Sequence, residues 1–175
     1  VNEATALYWF WKNTNHSVIG LNHYRRFFTE SDDVTFSHDK ILTKDAALKI
    51  LQDYDMIVTH VLGKSTLTEA IIGNGSVEIY VNTAKAILER YIRYAQPDYL
   101  DAFEQVFDSP IFYNKTMFIT RHNIFDAYCK WLFSFLIDAT EEILRTVNLA
   151  ELPFTPRRLV GFFTERMLTV KKKIK

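Results

Sequence analysis

The chain has one cysteine, no excess of either charge and no long apolar run, and each shortage closes off a class of protein. A lone thiol, Cys129, cannot form an internal disulfide, so no disulfide scaffold is available and a reducing compartment is expected. It lies in "YCKWLFSFLI", where it reads as a core residue. Lys plus Arg total 21 and Asp plus Glu total 21. No global field holds such a chain on nucleic acid, and any polyanion site must be local. Apolar stretches such as "WLFSFLI" fall far short of the roughly 20 residues of a membrane span. Glycine is scarce, and three of the 5 fall in "GKSTLTEAIIGNGS" at 63–76, a stretch without periodicity that reads as a loop over a site. An initiator Met is missing too, and "VNEATALYWFWKN" reads as a helix already under way, so further chain is expected upstream.

What the chain has in plenty is rings: 14 Phe and 9 Tyr bring the aromatic share to 15%. Either a ring-rich core or a ring-lined ligand site must absorb them. A length of 175 residues fits one domain over 1–175.

Helical spacing of Ala4, Leu7, Tyr8 and Trp11 predicts a helix over 2–13, followed by a strand over 17–23. "TESDDVTFSHD" is a polar loop, "KDAALKILQD" a short helix with Ala47, Leu48 and Leu51 inward, and "DMIVTH" a second strand. Ala84, Ile87, Leu88, Tyr91 and Ile92 mark a helix over 83–95 that Pro97 closes, and "DYLDAFEQVF" pairs with it as a helical hairpin. "IFYNKTMFIT" reads as one β-run. Asn123 with Asp126 forms a weak capping box for a long helix whose buried face is Phe125, Tyr128, Leu132, Phe135, Ala139 and Ile143. Thr155 and Pro156 open a last helix with Leu159, Phe162, Phe163, Met167 and Val170 inward. Strands alternating with helices predict an α/β layered fold with a mainly parallel sheet and a helix-rich C-terminal half.

The most pointed stretch is "VIGLNHYRRFF" at 18–28. In open α/β sheets ligands lie beyond the carboxyl ends of the strands, and this strand ends in His23, Tyr24, Arg25 and Arg26. With a two-residue period His23 and Arg25 face one side, Tyr24 and Arg26 the other. Guanidinium groups match phosphate oxygens as bidentate donors, which points to a diphosphate. The alternative is a solvated strand end paired with Asp32 and Asp33.

"EATALYWFWKN", "IGLNHYRRFF", "YDMIV", "NKTMFITRHNIFDAYCKWLFSFL" and "RLVGFFTERMLTV" together resemble, in order, the bacterial DUF4422 family. Asn22, Ala4 and Phe28 depart from its usual residues without removing a charge, and 62–82 matches poorly. The resemblance implies a GT-A-like fold lacking its N-terminal part. It also implies a glycosyltransferase of the hexosyltransferase type, serving capsular, exopolysaccharide or lipopolysaccharide synthesis. Its partners would be a nucleotide-sugar donor and a glycan or lipid-linked acceptor, with no nucleic acid. The expected location is the cytoplasm, peripheral at the inner face of the plasma membrane. The alternative is a non-catalytic carbohydrate-binding or scaffold module of a polysaccharide-synthesis protein.

Under that resemblance the remaining polar residues sort into roles. GT-A enzymes hold the diphosphate with a metal on an Asp-x-Asp pair. Asp53 and Asp55 have that spelling but precede their strand, so they read as a turn and the expectation is no metal site and no cofactor, with Mn²⁺ or Mg²⁺ as the alternative. The other histidines show no ligand spacing. His23, Tyr24, Arg25 and Arg26 are the candidates for the diphosphate, joined by Arg158 at the head of the last helix unless it merely meets solvent. Asn114 and Trp11 are the sugar or acceptor candidates, against a turn cap and core packing. Glu165, then Asp126, is the candidate base, against the plainer view that Glu165 and Arg166 form a solvated helix edge. Lys171, Lys172, Lys173 and Lys175 either approach anionic lipid or solvate the helix end.

Overall fold

The computed structural model describes residues 3–30, 37–62, 66, 69, 78–152 and 156–173. Helix α1 (Glu3–Asn13) buries Ala4 and Leu7 and leads into strand β1 (Val18–Leu21). Helix α2 (Lys44–Asp53) starts where Thr43 Oγ1 accepts a hydrogen bond from the Ala46 amide at 3.2 Å, which satisfies one orphan donor of the first turn. It buries Ala47 and Leu51 but leaves Leu48 exposed, against expectation. Then come β2 (Met56–Val58) and β3 (Val61–Leu62). The 63–76 loop lies outside the described residues except Thr66 and Glu69, which exchange amide-to-side-chain hydrogen bonds of 2.8 and 3.2 Å.

Helix α3 (Glu78–Ala95) stops before Pro97, and α4 (Leu100–Phe107) follows. Besides α4, α3 packs extensively on a later helix, α6 (Leu136–Thr146). The expected β-run at 111–120 is in fact two strands, β4 (Phe112–Tyr113) and β5 (Phe118–Arg121). Between them the Asn114–Thr116 turn carries two non-glycine residues with positive φ, Lys115 at 71° and Thr116 at 51°. That kink sends β4 to pair with β3 while β5 enters the main sheet.

The expectation of a mainly parallel sheet is corrected among the described residues. Order is β1-β5-β2, and both pairings are antiparallel, with Leu21 and Val58 each opposite Phe118. β1 and β2 do run the same way, but the chain returns through the α3–α4 pair to the far end and threads β5 between them in reverse. One consequence is functional: the carboxyl ends of β1 and β2 share the edge at which β5 begins. The chain leaving β1 and the Asn114–Thr116 turn therefore meet there.

The expected long helix after residue 121 is broken into α5 (His122–Phe133) and α6. Ser134 explains the break: its Oγ donates to the Trp131 carbonyl at 2.7 Å and accepts from Gln96 Nε2 at 3.0 Å, diverting a carbonyl from the helix ladder. All six residues expected on the buried face are buried nonetheless. No side chain caps α5, and Asp126 bonds elsewhere, so the capping box does not form.

The last helix, α7 (Leu159–Lys173), is entered through a 3-10 turn at Pro156–Arg158; Thr155 lies outside the described residues. It is buried nearly all round from Leu159 to Val170. Rings fill the surrounding core, with Phe103, Phe107, Phe118, Phe125, Phe135 and Phe163 fully enclosed. Phe107 bridges Phe103 (4.1 Å between centroids) and Phe163 (5.3 Å). The aromatic excess is thus largely core, and Cys129 is buried within it, its thiol pushed up to about 12 by desolvation.

Candidate functional site

Beyond Leu21 the chain does not continue as a strand. His23 and Arg26 bridge each other, the Arg26 amide donates to the His23 carbonyl at 3.2 Å, and residues 23–26 form a tight turn. The expected alternation of side chains across a strand end therefore fails. In its place His23 Nδ1 lies 3.3 Å from both the Arg25 amide and Arg26 Nη1. Two donors facing Nδ1 leave the proton on Nε2. Burial, then the Arg26 charge, lower the His23 pKa, so the ring is a neutral donor at pH 7. Tyr24 packs on His23 at 4.3 Å between centroids, and the Arg25 guanidinium lies 4.8 Å above the Tyr24 ring.

Arg25 and Arg26 are exposed, and neither pairs with a carboxylate among the described residues. Asp32 and Asp33, the expected alternative partners, lie outside those residues. After the turn the chain is held firmly: the Leu42 amide donates to the Phe28 carbonyl at 2.8 Å, and Thr29 bridges Ile41.

Helix α7 packs against the Asn114–Thr116 turn. Side chains at i, i+3, i+4 and i+7 share a helix face, so Phe162, Glu165, Arg166 and Thr169 form one stripe. That stripe meets residues 112–116: Thr169 Oγ1 accepts from the Tyr113 amide at 2.8 Å, and the Arg166 guanidinium lies 4.0 Å over the Phe112 ring. Glu165 is 4% and Arg166 1% exposed, which corrects the view of a solvated edge. Desolvation raises the Glu165 pKa, opposed by Lys115 and Arg158 and reinforced by Glu3. Burial lowers Arg166 to about 10, which leaves it charged at pH 7. Arg158 is exposed at the head of the stripe, 5.7 Å from the Phe162 ring. Its neighbour Arg157 is spent on the Leu152 and Ala150 carbonyls at 2.6 and 2.9 Å.

Lys115 and Glu3 thus act on both His23 and Glu165, and Arg158 acts on Glu165. Lys115 and Glu3 were not among the sequence candidates. Glu3 was readable as a charge one turn before buried Leu7, on the same face of α1. Lys115 gave only the polar interruption "NK" in an apolar run.

Trp11 and Asp126 are brought together, but with each other. Trp11 Nε1 donates to Asp126 Oδ1 at 3.0 Å, Lys130 Nζ pairs with Oδ2 at 2.8 Å, and the Trp11 ring stacks on Phe133 at 5.6 Å. The Lys130 and Trp11 hydrogen bonds lower the Asp126 pKa, which makes it a poor proton acceptor. The contact fastens α1 to α5. Trp11→Ala is expected to cost about 3 kcal/mol of stability, read as a lower Tm, while diphosphate affinity stays as it was. Asn114 opens its turn, and its side chain lies outside the description.

Asp55 sits before β2, where its Oδ1 pairs with Arg121 Nη1 at 3.2 Å at the amino ends of β1 and β2. Among the described residues no three His, Cys, Asp or Glu side chains are grouped to hold a metal. Lys171 binds the Tyr99 hydroxyl at 2.6 Å, Lys173 binds Gln105 at 2.9 Å, and Lys172 lies over the Tyr113 ring at 4.9 Å, so these lysines are engaged with the protein. No helix among the described residues is long and apolar enough to cross a membrane.

Comparison with known proteins gives three findings. A solved structure titled as the apo form of WbbM, a bifunctional glycosyltransferase, superposes with a TM-score of 0.72 at 20% identity, covering 98% of this chain and 33% of that one. The fold is therefore shared, and this chain spans about a third of that protein's length. No curated protein matches the sequence. The sequence model described as "Domain of unknown function (DUF4422)" matches residues 1–173, and the chain belongs to that family.

Proposed function

We propose that the chain is a glycosyltransferase unit that moves a sugar from a nucleoside-diphosphate donor to a growing bacterial surface polysaccharide or lipid-linked glycan, in the cytoplasm. The observation that carries this reading is the placement of Arg25 and Arg26, exposed and without a carboxylate partner among the described residues, at the edge where a buried carboxylate, Glu165, feels the Lys115 charge. The fold shared with a structure titled a glycosyltransferase supports it.

On this reading Arg25, Arg26 and the His23 Nε2–H hold the diphosphate, with Arg158 at the rim. As the bond between the anomeric carbon and the diphosphate oxygen breaks, its electrons pass to the diphosphate. The fixed cations stabilise that charge without reorganisation. Glu165, ionised, takes the proton of the acceptor hydroxyl as its oxygen bonds to the anomeric carbon. Catalysis by Glu165 in this way requires an inverting transfer.

Turnover is expected to be independent of divalent metal, because cations already occupy the place where a metal would be needed and would repel one. Saturating EDTA should leave the rate of the full-length protein unchanged. Loss restored only by Mn²⁺ or Mg²⁺ would contradict this and direct attention to Asp32 and Asp33. The reading as a whole is tested by incubation with sugar nucleotides. Saturable binding with slow donor hydrolysis supports it, and binding to oligosaccharide alone would favour a non-catalytic carbohydrate-binding module.

A further inference from the structure

Buried polar atoms are nearly always hydrogen-bonded, and each exception needs a reason. Among the described residues six buried side-chain atoms have no partner, and four of them belong to Glu3 (Oε2), Thr116 (Oγ1) and Arg166 (Nε and Nη2). Helix α1, which carries Glu3, packs on α7, and so does the turn that carries Thr116. The unmatched atoms thus gather around one stretch of α7, next to Glu165. The guanidinium offers donors, the carboxylate accepts and the hydroxyl does either, yet none of these atoms bonds another of the set. Nε and Nη2 lie on the same edge of the guanidinium and form a two-pronged fork, held flat by the Phe112 ring 4.0 Å away. Backbone strain marks the same place, with Lys115 and Thr116 both left-handed. Such strain costs free energy and persists at sites where a ligand is held.

A set of unmet donors and acceptors at fixed positions is the complement of a polyhydroxylated ring. A diphosphate would leave the carboxylates unmatched. We propose that Glu3, Thr116, Glu165 and Arg166 form the subsite for the transferred sugar, its hydroxyls bridging the Arg166 fork, the Thr116 hydroxyl and the Glu3 carboxylate. This rests on the donor reading above and extends it from the diphosphate to the sugar. The turn at Asn114–Thr116 then joins the two subsites, with Lys115 toward the phosphates and Thr116 toward the ring.

The experiment compares UDP-glucose, UDP-galactose, UDP-N-acetylglucosamine and GDP-mannose with free UDP and GDP, by calorimetry on the full-length protein. The preferred sugar nucleotide should bind more tightly than its free diphosphate. Thr116→Val and Arg166→Lys should each lower that sugar nucleotide's affinity about tenfold and leave the diphosphate's unchanged. Thr116→Val removes an unpaired buried hydroxyl, so it should also raise the Tm of the free protein, a result that loss of folding cannot imitate. The proposal is overturned if no sugar nucleotide in the set binds more tightly than its diphosphate, or if the variants weaken both ligands equally or neither. Absence of all binding would instead remove the donor reading on which it stands.

Discussion

Glu165→Gln is expected to lower kcat by about 10²- to 10⁴-fold, the range for loss of a positioned general base, while affinity for the free nucleoside diphosphate changes little. The side chain is enclosed and faces Lys115 and Arg158, so the amide fits the same space. Its pH profile supplies the sign. Burial raises the Glu165 pKa, so the carboxyl stays protonated, and inactive as a base, to a higher pH than an ordinary glutamate. The acid limb of kcat/KM should therefore lie above the usual carboxylate range and vanish in the residual activity of the variant. A group with a raised folded pKa stabilises the fold fully below its unfolded pKa and loses that contribution as pH rises through the folded value. Glu165→Gln should accordingly gain stability relative to the parent above the folded pKa and show no gain at acid pH. A variant with full activity would remove Glu165 from the chemistry.

Arg25→Ala and Arg26→Ala should each weaken nucleoside-diphosphate binding by roughly 1.5–3 kcal/mol, the usual worth of a hydrogen bond to a charged group, or on the order of 10- to 100-fold. Stability should move by no more than about 0.5 kcal/mol, as for other exposed substitutions. Neither guanidinium pairs with a carboxylate among the described residues; that of Arg25 lies over the Tyr24 ring and that of Arg26 beside His23 Nδ1. Because the contacts are electrostatic, raising the salt should narrow the gap between parent and variants. Unchanged affinity in both variants would show that the turn serves the fold and not the ligand.

The sequence disclosed some of this and hid the rest for physical reasons. Cations placed directly after an apolar strand are legible because nothing in a core requires them, and Arg25 and Arg26 stand exposed at the sheet edge. Glu165 was legible as a charge inside an apolar helix. What one-dimensional reading missed was that α7 is covered on every side, a property of the neighbours and not of its own pattern. The kink at Lys115 and Thr116 left no signature either, since neither is a glycine and the flanking residues look like one strand. That kink decides which strand pairs with which, so the antiparallel order β1-β5-β2 was hidden with it. Trp11 and Asp126 show the converse, a structural contact that the sequence does not announce. A ring and a carboxylate each look like binding chemistry until residues 115 positions apart are folded together and found to bond each other.

The most direct test is the crystal structure of the full-length protein with a nucleoside diphosphate bound. The account predicts phosphate oxygens within about 3 Å of the Arg25 and Arg26 guanidiniums, beyond the carboxyl ends of β1 and β2, with the terminal phosphate directed toward Lys115 and Glu165. A diphosphate seated at the opposite edge, beside Asp55 and Arg121, would contradict it.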